Sequence, residues 1–399
     1  MSAGLVLFIG ALILFVGGGA RFAIGLTLKP IELEFAAGRG LIGLAVAIFQ
    51  LISAIAMFWA GRLADRVNLA LVLSGGIAVA AVGLGALAWT SASWQILLFY
   101  GVVFAIGNGV ASVIPVGVMV TRKFPERPGL ANAAALTGLG LGQLAMMAAL
   151  GSVLGDIGWR NVFFWLGMAH LAILPLVVVV VSRVTSRAAP VAVRHARLPA
   201  IHGLSIAEAA KTRRFWLLLA VYGLCGFEDF FVSTHIVAFA QDRGADVVLA
   251  GNLLAVMGLM ALIGVLLAGV LSDRVGPVAA TLTSFALRLL IFAMVLIDQQ
   301  VSTVAIFGLM FGLTFLMTAP LTVSFVREAF GDRHLGALTG LVTMVHHICG
   351  GLGALIGATL YDAQGSYDAV LWMMLGSSVF GAILTLGLSR RWQSVERKQ

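Results

Sequence analysis

Twelve apolar runs, each about 20 residues or longer, partition this chain, and every gap between them except residues 91–94, Ser-Ala-Ser-Trp, carries a charged residue, a glycine or a proline. They fall near residues 4–30, 40–60, 70–90, 95–120, 129–154, 161–182, 214–240, 247–271, 278–297, 301–326, 335–360 and 367–388. A run of that length crosses hydrocarbon as an α-helix, because a helix satisfies its own backbone N–H and C=O groups where no water can. Composition agrees: 61% of the 399 residues are hydrophobic and 11% charged, with mean hydropathy +1.06, against about 45–50% apolar and about 25% charged in soluble domains. The expected fold class is an all-α membrane protein of twelve transmembrane helices. The first run has no basic segment before it and no small-residue cleavage site leading to a soluble domain, so it reads as a retained helix rather than a removed signal.

The basic residues orient these helices. Of 25 lysines and arginines, 19 lie in the even-numbered gaps and the C-terminal tail, among them Arg62, Arg66, Arg122, Lys123, Arg274 and seven between Arg183 and Arg214. The odd gaps hold only Lys29, Arg39, Arg160 and Arg243, and Arg21 and Arg288 lie inside runs. The positive-inside rule then places both termini and the central loop in the cytoplasm of a multi-pass protein, as in a bacterial inner membrane. The net charge of +8 is a topology signal and not the footprint of a nucleic-acid partner. No Gly-Lys-Ser/Thr phosphate loop is present, which argues against ATP-driven work. Cys225 and Cys349 fall inside runs without metal or redox spacing and read as reduced core residues, so neither a metal nor a cofactor is expected.

An internal repeat sets the architecture. Gly61-Arg-Leu-Ala-Asp65-Arg66-Val67 returns 208 residues later as Gly269-Val-Leu-Ser-Asp273-Arg274-Val275. Phe124-Pro-Glu-Arg127 returns as Phe330-Gly-Asp-Arg333, and Asp156 as Asp362, both 206 residues on. The chain thus divides into six-helix bundles over 1–182 and 214–399, joined by a linker over 183–213. Within that linker Ser205 and Glu208 have capping-box spacing for a short cytoplasmic surface helix; a solvated basic loop is the other reading. Parallel repeats of this kind carry their substrate near the bilayer midplane at the repeat interface.

The Gly-x-x-x-Asp-Arg motif after the second run, repeated after the eighth, resembles the loop motif of the major facilitator superfamily. Asn68, Leu69 and Ala70 stand where that pattern usually has glycine followed by basic residues. Finer stretches are similar to the monocarboxylate and oxalate/formate branch: Leu28-Lys-Pro-Ile-Glu-Leu-Glu-Phe35, Arg127-Pro-Gly-Leu-Ala-Asn132, Ser205 to Trp216, Ser233-Thr-His-Ile-Val237 and Leu360-Tyr-Asp-Ala-Gln-Gly-Ser-Tyr367. The eighth run holds no arginine, where that branch often carries its anion-binding one. The resemblance implies a transporter, not an enzyme, whose first, fourth, seventh and tenth helices line a central cavity and whose Gly61, Asp65, Arg66, Gly269, Asp273 and Arg274 act in gating.

An ionisable residue in hydrocarbon costs about 2.5–3.5 kcal/mol on insertion scales and marks function by default. Here these are Arg21, His170, Glu228, Asp229, His235, Arg288, His346 and His347. Arg21 and Asp229 lie 208 residues apart, so the repeat sets them at equal depth facing each other. The planar guanidinium of Arg21 suits a carboxylate. Neighbouring residues on a helix diverge by about 100°, which assigns Asp229 to the cavity and Glu228 to a packing partner such as Arg288 or a helix-11 histidine. Arg288 and His170 read as structural. His235 lies two turns beyond Glu228, and of the adjacent His346 and His347 only one, His346, is expected to face the cavity. Asn108 with Ser112, and Thr314 with Thr318, are each one turn apart and share a face. The glycines Gly138-Leu-Gly-Leu-Gly142, Gly350, Gly351, Gly353 and Gly357 read as close helix packing.

The expectation is a monomeric secondary transporter of a small organic anion, such as a monocarboxylate, working by alternating access. Substrate contacts fall to Arg21, Asn108, His235, Thr314, Thr318 and His346, and proton coupling to Asp229 and Glu228. The alternative is proton-coupled efflux of a hydrophobic or cationic compound, with Glu228 and Asp229 holding the cation.

Overall fold

The computed structural model describes residues 3–124, 126, 128–185, 203–331 and 333–389; the side chains of Asp65, Arg66 and residues 128–130, 184, 185 and 389 lie outside that description. Among the described residues the chain is helical, with one isolated bridge between Gly203 and Gly331 and no strand. In order the elements are α1 (Ala3–Leu26), α2 (Leu28–Phe35), α3 (Gly40–Arg66), α4 (Leu69–Leu87), α5 (Ser93–Lys123), α6 (Pro128–Thr185), α7 (Ile206–Ala209), α8 (Arg213–Asp242), α9 (Val247–Ile297), α10 (Val301–Phe330), α11 (Leu335–Gln364) and α12 (Asp368–Ser389). All but α2 and α7 are long and apolar enough to cross a membrane. Two of them are double. The backbone leaves helical geometry at Gly158 in α6 (φ 73°, ψ 161°) and at Gly276 in α9 (φ 87°, ψ 161°). Dividing α6 and α9 there gives twelve crossings among the described residues, in the order of the twelve runs.

The repeat is written into the turns as well. Gly38 and Gly244 take positive φ (65° and 98°) 206 residues apart, and Gly158 and Gly365 (73° and 71°) 207 apart. These conformations favour glycine because a Cβ would crowd the following carbonyl. One pair breaks the symmetry. Asn68 stands 208 residues before Gly276, and with φ −58° its side chain accepts the Ala70 N–H at 2.9 Å, capping α4. The departure from the family's glycine is therefore a helix cap.

Helices α5 and α10 are both interrupted. In α5 helical geometry ends at Val110 and resumes at Val113, after Ser112 caps the second segment; in α10 it ends at Phe315 and resumes at Thr318. Pro115 and Pro320 explain the positions. A proline removes the hydrogen bond to the carbonyl four residues back and its ring clashes with that carbonyl, which here belongs to Ala111 and Leu316. The pairs Asn108–Ser112 and Thr314–Thr318, expected on continuous turns, instead straddle these breaks.

The chain forms two compact units, Met1–Ala192 with Ser233–Leu259 and Val193–Val232 with Met260–Gln399. In the first, α1 lies directly on α6: a Cβ on Gly138 would sit 2.2 Å from the Ala11 carbonyl oxygen, and one on Gly142 2.0 Å from that of Phe15. Val6, Ile9, Ile13, Leu73, Ile77, Val116 and Met119 fill the core beside this contact. In the second, Phe215, Leu218, Tyr222, Phe285, Leu321, Phe325 and Leu338 form the core. There α8 and α11 meet through glycine from both sides, Gly226 against the His346 carbonyl and Gly353 against that of Phe227, each leaving 2.0 Å for a Cβ. Small residues matter because lipid provides no hydrophobic drive for helix association, which leaves close packing to hold the pair. The linker helix α7 carries the expected capping box, Ser205 N–H to Glu208 Oε2 at 2.7 Å and Glu208 N–H to Ser205 Oγ at 3.2 Å. Hydrogen bonds from the Ser205 backbone and side chain hold the Glu208 carboxyl below its usual pKa. The Leu204 N–H joins it to α10 through the Phe330 carbonyl at 2.8 Å.

Gly353→Val is expected to destabilise the protein by at least about 1–3 kcal/mol, because the side chain meets backbone rather than a movable side chain. Gly269→Ala, whose Cβ meets nothing within 4 Å, is expected to leave thermal unfolding in detergent within about 1 kcal/mol of the parent.

Candidate functional site

Three acceptor-rich residues on one face of α8, Cys225, Glu228 and Asp229, surround a single guanidinium from α9. Arg288 Nη1 donates to Glu228 Oε2 at 3.2 Å and to the Cys225 carbonyl at 3.3 Å. Its Nη2 donates to Asp229 Oδ1 at 2.6 Å and to the Thr314 carbonyl at 2.9 Å, and its Nε to Thr314 Oγ1 at 3.1 Å. All five guanidinium N–H donors are engaged. Arg288, Glu228 and Asp229 are buried. The face of Phe311 lies 4.9 Å from the Arg288 Cζ, adding a cation–π contact.

Each carboxylate has a second partner. Ser378 Oγ donates to Glu228 Oε1 at 3.0 Å. Asp229 Oδ2 lies 3.1 Å from His346 Nε2 and 3.5 Å from Cys225 Sγ, and that sulfur lies 3.3 Å from Thr318 Oγ1. Two features of the fold bring this about. At the break in α10 the Thr314 carbonyl accepts the Met317 N–H at 3.2 Å and Arg288 Nη2 as well, and the Gly226 contact lets α11 approach until His346 reaches Asp229. In charge the cluster holds two carboxylates against one guanidinium, so one negative charge is unmatched unless a proton or cation joins it.

The divergence expected of Glu228 and Asp229 is corrected here. Both converge on Arg288, because a fork lying between their two directions offers one Nη to each. Asp229 thus has its partners, Arg288 and His346, within its own unit, where the repeat had set it against Arg21. Arg288, read as structural, is the centre of the cluster, with Glu228 as the partner foreseen for it. Thr314 and Thr318 are buried and serve Arg288 and Cys225. His346 and His347 diverge as expected, with rings 85° apart and Phe230 against both. In the other unit the Arg21 carbonyl accepts Tyr100 OH at 2.7 Å, and Asn108 Nδ2 donates to the Gly17 carbonyl at 3.2 Å, so Asn108 ties α5 to α1 one turn from Arg21. His235 is buried on α8, and His170 is buried on α6 with Nδ1 2.8 Å from the Leu166 carbonyl.

The family model of the Major Facilitator Superfamily matches residues 10–264 and 218–399. The chain belongs to the major facilitator superfamily. The uncharacterized MFS-type transporter YcxA of Bacillus subtilis is 26% identical over 90% of this chain and 88% of its own length. Monocarboxylate transporter 13 of Rattus norvegicus is 27% identical over 79% of this chain and 72% of its own. Among solved structures, a bacterial homologue of the human lysosomal transporter Spinster, inward-facing and unoccupied, matches with TM-score 0.78 at 16% identity over 98% of both chains. Nucleoside transporter NupG matches with TM-score 0.77 at 14% identity over 97% of this chain and 100% of its own. At those identities the two structures speak for the fold alone. This superfamily member is a multi-pass membrane transporter, not an enzyme.

The superfamily's loop motif keeps part of its geometry in view. A Cβ on Gly61 would meet Ile114 at 3.2 Å, and Arg122 Nη2 donates to the Ala64 carbonyl at 3.1 Å near the end of α3. The Asp65 and Arg66 side chains lie outside the description, and Asp273 and Arg274 are exposed. Three of the four basic residues in the odd gaps are ion-paired. Asp242 joins Lys29 at 2.7 Å and Arg39 at 2.7 Å, and Arg39, only 2% exposed, also reaches Glu32 at 3.3 Å. Glu34 pairs with Arg160 and accepts Trp159 Nε1–H at 2.7 Å. Partial burial opposes its charge, but these bonds hold the Glu34 carboxyl below its usual pKa. Sequence reasoning passed over Pro115 and Pro320, whose spacing of 205 residues flagged the paired breaks, and Ser378, whose sequence neighbourhood carries no signal.

Arg288→Met is expected to cost about 3–5 kcal/mol, since it strands two buried carboxylates. Arg288→Lys should fall between it and the parent, because an ammonium cannot reproduce the fork. Thermal unfolding of the purified variants measures both.

Proposed function

We propose that this transporter carries a small organic anion, a monocarboxylate, across the bacterial inner membrane by proton-coupled alternating access. In this reading it acts as a monomer with both termini cytoplasmic, and 1–182 and 214–399 are its two bundles, joined by 183–213. The observation that carries the proton part is the charge imbalance of the buried cluster: Glu228 and Asp229 face one Arg288. A buried unmatched charge is unfavourable, so one proton is the natural neutralising partner. His346, in contact with Asp229 and the most exposed of the four at 18%, is where that proton enters.

The anion part rests on chemistry and on kinship. In this reading Arg21 is the intramembrane arginine assigned to the substrate carboxylate, because a planar guanidinium suits that group, with Asn108, His235, Thr314, Thr318 and His346 as the polar surroundings carried over from their helix positions. Relatives named monocarboxylate transporters support the substrate class.

Uptake by proteoliposomes, with a panel of carboxylates and an imposed pH gradient, tests the whole reading. An inwardly acid-driven accumulation of a monocarboxylate is expected. Arg21→Ala should reduce it at least about tenfold, the loss of one charge-assisted hydrogen-bonded anchor. Asp229→Asn should abolish gradient-driven accumulation while leaving substrate exchange. If no carboxylate is taken up or bound and Arg21→Ala leaves transport of a cation intact, the efflux reading replaces this one.

A further inference from the structure

We infer that Cys225, Asp229 and His346 form a binding site for a soft divalent transition cation, of which zinc is the chemical type. The three donor atoms lie within 4.8 Å of one another. Cys225 Sγ is 3.5 Å from Asp229 Oδ2, and His346 Nε2 is 3.1 Å from the same oxygen. Zinc binds sulfur at about 2.3 Å and nitrogen or oxygen at about 2.0 Å in tetrahedral geometry. Those lengths set sulfur and oxygen on one ion about 3.5 Å apart, and nitrogen and oxygen about 3.3 Å apart. The two separations to Asp229 Oδ2 match these lengths, and sulfur and nitrogen lie within 4.8 Å of each other, so side-chain rotation brings all three donors onto one ion.

The surroundings complete the case. Metal-binding carboxylates are oriented by outer hydrogen bonds, and Asp229 has this arrangement: Oδ1 is anchored by Arg288 while Oδ2 faces the thiol and the imidazole. Thr318 Oγ1, 3.3 Å from the sulfur, plays the same part for Cys225. Charge is the second argument. Glu228, Asp229 and Arg288 leave one negative charge unmatched; a divalent cation bound by an ionised Cys225 brings the cluster to neutrality in place of the proton, so the two occupy the cluster alternately. A thiolate with an imidazole selects a soft or borderline metal over magnesium or calcium. Linear spacing concealed the site because Cys225 and Asp229 are one turn apart on α8, while the third ligand arrives from α11 through the Gly226 contact.

Binding is read on the protein itself, so its result is separate from that of the uptake assay. Cobalt(II) titrated into the purified, reduced protein in detergent should give a thiolate-to-cobalt charge-transfer band saturating at one equivalent, and zinc should displace it. Cys225→Ser should remove the band, and His346→Gln should weaken zinc binding, measured against a chromophoric chelator, by at least about tenfold. Cys349→Ser should leave both unchanged. A wild-type protein with no such band overturns the proposal, as does a band that survives Cys225→Ser or disappears with Cys349→Ser. Should Cys225→Ser not fold, the wild-type band together with an unweakened His346→Gln protein overturns it equally.

Discussion

Taking an arginine and two carboxylates out of water costs several kcal/mol per ion before any contact is made, and Arg288, Glu228 and Asp229 are all buried within one unit. Their arrangement accounts for that cost atom by atom. Every N–H of the guanidinium has an acceptor, and each carboxylate oxygen has a donor or a thiol beside it. Much of the second unit is shaped to make this possible. Helix α9 delivers the arginine, α10 breaks to offer a carbonyl, and α12 contributes a serine.

The packing that surrounds the cluster follows from the solvent. In hydrocarbon, helices gain little by hiding leucine from lipid, so they associate where their backbones can touch. Gly226 and Gly353 create one such contact and thereby fix the distance at which α11 presents His346. A larger residue at either position would move the imidazole away from Asp229. The spacing of glycines thus sets electrostatics as well as stability.

Much of the fold was legible because it follows from periods and breaks in hydrophobicity. The twelve crossings, the short capped helix at Ser205 and the close packing at Gly138, Gly142 and Gly353 all come from local rules in which a single physical effect outweighs the rest. The cluster was legible only in part. Its members were visible as expensive charges, but their pairing was not. The repeat relates Arg21 to Asp229 by position on equivalent helices, whereas an arginine side chain from α9 reaches Asp229 first. Reach and direction of a long side chain depend on helix rotation, which no spacing encodes. The one-turn pairs Asn108–Ser112 and Thr314–Thr318 misled for a different reason: they assume continuous helix, and Pro115 and Pro320 interrupt it.

The matched glycines at the turns have a consequence for each half of the molecule. Few side chains are shared between the two copies of the repeat, yet Gly38 and Gly244, and Gly158 and Gly365, take positive φ at corresponding turns. A turn that only glycine makes easily resists replacement long after the helices on either side have drifted. A chain rebuilt as a tandem of either half would therefore keep a positive-φ glycine at both corners, while the buried charge of Arg288, Glu228 and Asp229 comes from one half alone.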